Sequence, residues 1–429
     1  MVKLIPITAA NLTDHQIGSD DILIAPDSTN ILYGDAGRSL LDHSMGGDDS
    51  LIIHGSGSFY GDAVRDIAGH AIGGDDFLFV QITGSSGTTT NLYGDAGGSI
   101  SDSGKGGNDV FSVAPSPINI AVAMYGDAGK DMSGHAAGGN DTFQLSAFQN
   151  TFTIYGDAGG NMKDHAVGGN DTATDGSSEG FVTFYGDAGK NMSGHAHGGN
   201  DVLNTGLEDS VTFYGDAGGD LRDHAIGGND TMNVASVGAV LAYGDAKSMS
   251  GNARGGNDSL IVRAQQNAND ILVGDAQTMS GNAHGGDDVL NVDAVRHTEG
   301  SITLIGDAVK MSGNSHGGND TLISGNGNDD MWGDAQVMVG HAKGGNDTFV
   351  FKANNGHDKI EDFGQGACGA GSNWGVDHID VSALGIKDFS QLNISAFDST
   401  THDSTIAFAT GDVVVHSQHS LLAHDFLFA

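Results

Sequence analysis

"YGDAGGSISDSGKGGNDVF", from Tyr93 to Phe111, opens on one Asp-Gly phrase, closes on another, and separates them by about ten small or polar residues. Variants of it recur along most of the chain. The Asp of "GDA" stands at Asp35, Asp62, Asp95, Asp127, Asp157, Asp187, Asp216, Asp245, Asp275, Asp307 and Asp334, eleven copies at intervals of 27 to 33 residues. A period of this size is the mark of a repeat architecture. Within each copy the last Asp of "GGND" or "GGDD" lies at a fixed distance. It is 14 residues on in the first seven copies, at Asp49, Asp76, Asp109, Asp141, Asp171, Asp201 and Asp230, and 13 on in the last four, at Asp258, Asp288, Asp320 and Asp347. The arm that returns to the next "GDA" varies from 13 to 19 residues. A fixed arm beside a variable one predicts a constrained face and a loop-bearing face.

The fixed arm ends in alternating polar and apolar residues, as in "NDVFSV", "NDTFQL" and "DDVLNV", and a second such run precedes the next "GDA", as in "TFTIYG", "SVTFYG" and "SITLIG". Period two is the strand signal. Two short strands per copy cannot bury a face alone, but stacked copies build parallel ladders. The expected fold is all-β, a right-handed parallel β-solenoid (β-roll or β-helix) of about eleven coils of about 30 residues. Residues 1–27 read as an N-terminal cap, 28–350 as the solenoid, and 351–429 as a β-rich C-terminal cap.

Composition agrees. The chain has 429 residues, 70 of them Gly, with 4 Pro and a formal net charge of -38. Gly at that level argues against helices, where each costs about 1 kcal/mol relative to Ala. Of the 55 acidic residues 51 are Asp, the short carboxylate suited to tight turns and hard-cation sites. So acidic a surface repels phosphates and excludes nucleic acid as a partner. The single Cys368 provides no internal disulfide and reads as a small packed residue. "MVKLIPITAANLTDHQ" is too weak for a Sec signal, and no apolar stretch reaches the roughly 18 residues of a transmembrane helix.

Two further rows run through the fixed arm. Leu40, Ile67, Ile100, Met132, Met162, Met192 and Leu221, continued by Met249, Met279, Met311 and Met338, read as core filler. His43, His70, His135, His165, His195, His224 and His341 share one position with Ser103, Asn252, Asn282 and Asn314. A hydrogen-bonding column uses either residue, whereas a zinc or copper site does not readily exchange imidazole for Asn; adventitious metal binding along His135 to His224 is the alternative. The Asp rows carry the chemistry. Two unit charges about 5 Å apart repel by roughly 0.8 kcal/mol in water and near 3 kcal/mol at an effective dielectric of 20. Cations between them reverse the sign, and all-oxygen ligands of flexible geometry favour calcium over zinc or magnesium. The candidate metal ligands are therefore the GDA and GGND aspartates named above, with Asp329.

These residues resemble the repeats-in-toxin (RTX) family, whose nonapeptide G-G-x-G-x-D-x-U-x binds calcium in the turns of a parallel β-roll. "GNGNDDMWG", Gly325 to Gly333, is the nearest single match. The eleven larger copies look like an "LYGDA-GNDTL" turn opened after the Ala by about ten residues. Whether the two Asp of a copy share one ion is open. The resemblance runs from about residue 18 to 362 and continues in the tail, where "HDFLFA", His424 to Ala429, is similar to uncleaved type I secretion signals. It implies a secreted, extracellular or surface protein that folds on calcium, with the type I secretion machinery and further copies of itself as partners; cell-surface polysaccharide stays open as another. With no "HExxH" or "GxSxG", the expectation is a non-enzymatic structural protein of the bacterial surface or matrix. A polysaccharide-processing β-helix enzyme and a ligand or adhesion module are the alternatives.

Overall fold

The structure is a computed structural model that describes residues 10–26, 29–81, 89–115, 119–146, 150–176, 180–264, 270–293, 301–365 and 375–429. Cys368 lies outside the described residues. The chain is a β-solenoid of about eleven turns with parallel strands. It divides into two compact units, residues 1–228 and 229–429. The division falls inside the seventh "GGND", where the 14-residue arm gives way to the 13-residue arm.

In the first unit the strands after the GGND turn form one parallel ladder: Ile22–Ala25, Ser50–Ile53, Phe77–Val80, Val110–Val113, Thr142–Leu145 and Thr172–Asp175. Equivalent residues sit in register, so Leu51, Leu78, Phe111, Phe143 and Ala173 make one buried row. The strands before the GDA turn form a second ladder, Ile31–Tyr33, Ser58–Tyr60, Thr89–Tyr93, Ala121–Tyr125, Asn150–Tyr155 and Gly180–Tyr185, which buries Phe59, Leu92, Met124, Ile154 and Phe184. Each strand turns every second side chain inward, as period two requires.

The inserted segment is not a free loop. It carries two more lines of parallel bridges, one through the GDA alanines (Ala96↔Ala128↔Ala158↔Ala188) and one through the apolar row (Ile100↔Met132↔Met162↔Met192). The methionines are fully buried, as core filler should be. A further line, Lys105↔Ala137↔Val167↔His197, follows the corner just before "GG". The corner needs a left-handed residue. Asp102, Gly134, Asp164, Gly194 and Asp223 hold it in successive coils, at φ between 62° and 76°. Asp is among the few residues with a Cβ that accept this region.

In the second unit the shorter arm fuses the Ala and Met bridges into four-residue strands, Ala246–Met249, Ala276–Met279, Ala308–Met311 and Ala335–Met338, which pair in parallel. Its main ladders run through Thr231–Tyr243, Ser259–Ala264, Val289–Val292, Thr321–Ile323, Thr348–Val350 and His378–Asp380 on one side. Ile271–Val273, Ser301–Ile305, Asn328–Trp332 and Gly356–Phe363 form the other. The cap adds an antiparallel hairpin, Asp403–Phe408 with Gly411–Ser417, whose second strand pairs in parallel with Gly356–Phe363. The terminal Phe426–Leu427 pairs with His378–Asp380, and Phe426 is buried.

Candidate functional site

The predicted aspartates fall into two columns with different partners. Each GDA carboxylate turns back onto its own coil and accepts the amide of the second Gly of the following "GG". Gly74 N donates to Asp62 Oδ2 at 2.8 Å, Gly139 N to Asp127 Oδ1 at 2.9 Å, Gly169 N to Asp157 Oδ1 at 2.8 Å and Gly199 N to Asp187 Oδ1 at 2.8 Å. Asp35, Asp95 and Asp216 do the same through Gly47, Gly107 and Gly228. In the second unit Asp245, Asp275, Asp307 and Asp334 accept from Gly256, Gly286, Gly318 and Gly345. The bond closes a loop of 12 residues in the first unit and 11 in the second. That closure is the physical reason the arm has a fixed length.

The GGND carboxylate reaches across to the neighbouring coil instead. Asp76 Oδ1 accepts from Asp49 N at 2.6 Å, Asp109 from Asp76 at 2.7 Å, Asp141 from Asp109 at 2.6 Å, Asp171 from Asp141 at 2.7 Å and Asp201 from Asp171 at 2.7 Å. Asp49 itself accepts from Asp21 N. In the second unit Asp258, Asp288, Asp320 and Asp347 accept from Asp230, Asp258, Asp288 and Asp320. The column continues to Asp377, which takes the Asp347 amide at 2.9 Å. Asp377 escapes a motif search because "WGVDH" lacks the "GGND" spelling; only its spacing of 30 residues from Asp347 marks it. Asp362, which accepts from Gly333 N and Asp334 N, escapes for the same reason. Asp329 stands apart from both columns, inward on the strand Asn328–Trp332, and its amide donates to Asp358.

Apart from the half-buried Asp35, both columns are buried, and they lie close together. Burial raises the pKa of Asp62, Asp76, Asp95, Asp109, Asp141, Asp157, Asp171, Asp187 and Asp201 well above the usual carboxylate range. Neighbouring carboxylates of both columns add to the rise, as Asp109, Asp127 and Asp62 do for Asp95. Asp49 and Asp288 are pushed up to about 8 and Asp127 to about 6, burial again the largest cause. In the GDA column one oxygen each of Asp62, Asp127 and Asp157 is buried and has no hydrogen-bond partner. In the other column Oδ2 of Asp76, Asp109, Asp141 and Asp171 is buried and has no hydrogen-bond partner. The same holds for Asp288, Asp320 and Asp347 in the second unit. The ion pairs Lys163–Asp131, Arg263–Asp293 and Lys359–Glu361 lie outside the columns.

Glycine makes this approach feasible. A Cβ on Gly138, the first of its "GG", would collide with the carboxylate oxygens of Asp157 and Asp127. A Cβ on Gly126 would collide with Asp141 Oδ2 and the Gly156 carbonyl oxygen, so these two oxygens of successive coils face one spot.

As a donor set, partnerless carboxylate oxygens beside main-chain carbonyls fit a hard cation. Among the described residues, however, no three His, Cys, Asp or Glu side chains converge as a metal-binding group. A cation would therefore be held by one or two carboxylates of the columns, completed by carbonyls and water. The histidine column suits a transition metal less well. His135, His165, His195 and His224 stack with ring centroids 5.0 to 5.1 Å apart and planes within 21° of parallel. Parallel rings aim their in-plane lone pairs side by side, whereas zinc needs them to converge at about 2.0 Å. Comparison with protein-family profiles, curated proteins and solved structures gives no match. Among the described residues no helix is long and apolar enough to cross a membrane.

Proposed function

We propose that the chain is a secreted, non-enzymatic calcium-binding structural protein of the bacterial surface or matrix, a variant of the RTX type with enlarged repeats. One observation carries the reading: two neighbouring columns of buried carboxylates in which Oδ2 of Asp76, Asp109, Asp141 and Asp171, and of Asp288, Asp320 and Asp347, has no hydrogen-bond partner. Fully ionised, such columns oppose folding coil by coil, since each pair at an effective dielectric of 20 costs several kcal/mol. Divalent cations remove the repulsion and use the free Oδ2 oxygens. Inside a cell with little calcium the acidic, Gly-rich chain stays unfolded and exportable by a type I system; outside it folds. Binding to the folded state alone makes calcium the staple that disulfides do not provide.

The test is circular dichroism with calorimetry on the full chain. Excess chelator at pH 8 should leave a largely disordered spectrum, and millimolar calcium should restore β signal with several ions bound, whereas equal magnesium should restore little. Unchanged β content after exhaustive chelation at that pH sinks the proposal.

A further inference from the structure

We propose that the C-terminal cap of the second unit holds a binding site for a neutral saccharide, with Trp332 as its stacking platform. In the first unit the "YGDA" tyrosines from Tyr60 to Tyr214 stack coil on coil. Tyr60, Tyr93, Tyr125, Tyr155 and Tyr185 stack at 4.7 to 5.0 Å with planes 7° to 9° apart. The ninth and tenth copies carry Val273 and Ile305 at that position, and the eleventh and last carries Trp332, so no later "YGDA" supplies a ring. The next strand in that ladder is instead Gly356–Phe363. It pairs Asp330 with Lys359 and Met331 with Ile360, and its pairing with Gly411–Ser417 shifts register between Ile360 and Phe363. The irregularity turns both Glu361 and Asp362 toward one cavity beside Trp332. Bulges re-aim side chains in this way.

The cavity measures about 410 Å³ and is lined by Trp332, Gln336, Glu361, His416 and Gln418 among others. That is within the roughly 300–1,000 Å³ of small-molecule sites. Its polar groups divide into anchors and readers. Asp362 spends both oxygens on the amides of Gly333 and Asp334, at 2.7 and 3.0 Å, and so fixes the main chain just beyond Trp332. Asp403 sits 3.1 Å from His416 Nδ1, which orients the ring and leaves Nε2 for a ligand. His402 lines the cavity next to His416, with ring centroids 6.0 Å apart, in the left-handed region at φ 64°, its carbonyl taking the Ser417 amide at 2.9 Å. Lys359 Nζ holds Glu361 Oε1 at 2.7 Å, leaving Oε2. One carboxylate, two primary amides, an oriented imidazole and the half-buried indole of Trp332 form a set that reads vicinal hydroxyls and stacks a sugar's C–H face. Anionic sugars are disfavoured by Glu361, Asp362 and a net charge of -38.

Trp332 and Trp374 are the chain's only tryptophans, so the full-length W374F variant reports on Trp332 alone. Titrated in millimolar calcium with a neutral β-linked glucose hexasaccharide, its fluorescence should change saturably. Adding E361Q or Q418A should weaken the affinity about tenfold, with an unchanged circular dichroism spectrum showing that the fold is intact. No saturable change up to about 10 mM sugar on folded protein, equal affinity in both variants, or stronger binding of a hexauronate would each overturn the site. Loss of folding by chelation leaves this result untouched, so the two proposals fail separately.

Discussion

A GGND aspartate does two things that substitution can separate. Asp141 accepts the Asp109 amide through Oδ1 and buries a partnerless Oδ2 against its neighbours. Asn keeps the accepting oxygen and removes the charge; Ala removes both. D141N should therefore unfold at a higher temperature than wild type in chelator and gain less from added calcium. D141A should be less stable in both conditions by about 1–3 kcal/mol, since it strands a buried amide. Thermal unfolding of the three proteins at pH 6, where bound protons keep the wild type folded in chelator, with and without calcium reads the difference. Equal responses of D141N and D141A would mean that charge in the column is irrelevant.

At the scale of an element the carboxyls of both columns shift in the same direction. Their pKa values are raised above those of the unfolded chain, about 8 for Asp49 and Asp288 and about 6 for Asp127, so the folded state binds more protons than the unfolded one. Stability from such groups is fully present below the unfolded carboxylate range, near 4, and is lost as pH rises through the folded values. In chelator, melting temperature should thus fall as pH rises from 5, until near pH 8 little folded protein remains, the reverse of an ordinary acid-sensitive protein. Calcium should flatten the profile, because it replaces the protons. A melting temperature that rises with pH in chelator would refute this account of the columns.

For the whole molecule, an open parallel ladder is the feature with consequences. Among the described residues Ile22–Ala25 pairs on one side only, with Ser50–Ile53, and Ile17, Ile22 and Ile31 are 70%, 46% and 59% exposed. Unpaired strand edges with apolar neighbours template further pairing. Calcium lowers the charge that would hold copies apart. Sedimentation at millimolar calcium should therefore show oligomers that grow with protein concentration, and a monomer across a hundredfold range would leave an isolated calcium-binding chain as the better reading.

The repeat made much of this legible from the sequence. Translation symmetry fixes register, so equal spacing of Phe111 and Phe143, or of Met132 and Met162, places them in contact whatever lies between. The same symmetry lined up Asp127 with Asp157, and Asp109 with Asp141, as neighbours in columns. Spacing is silent about direction. That Asp127 closes its own turn on Gly139 while Asp141 reaches back to Asp109 depends on side-chain and main-chain orientation across coils. Nor could it reveal that the fixed arm adds three lines of parallel bridges of its own, since each bridge needs only one residue per coil and leaves no strand pattern. Where repetition stops, legibility stops with it. Asp362 and Asp377 extend the columns without the motif, and the cavity beside Trp332 arises from one irregular pairing at Glu361–Asp362 against a strand some fifty residues away. Sequence alone determined the parts that are copied, because each copy meets an identical neighbour; tertiary structure decided the end, because there each residue meets something different.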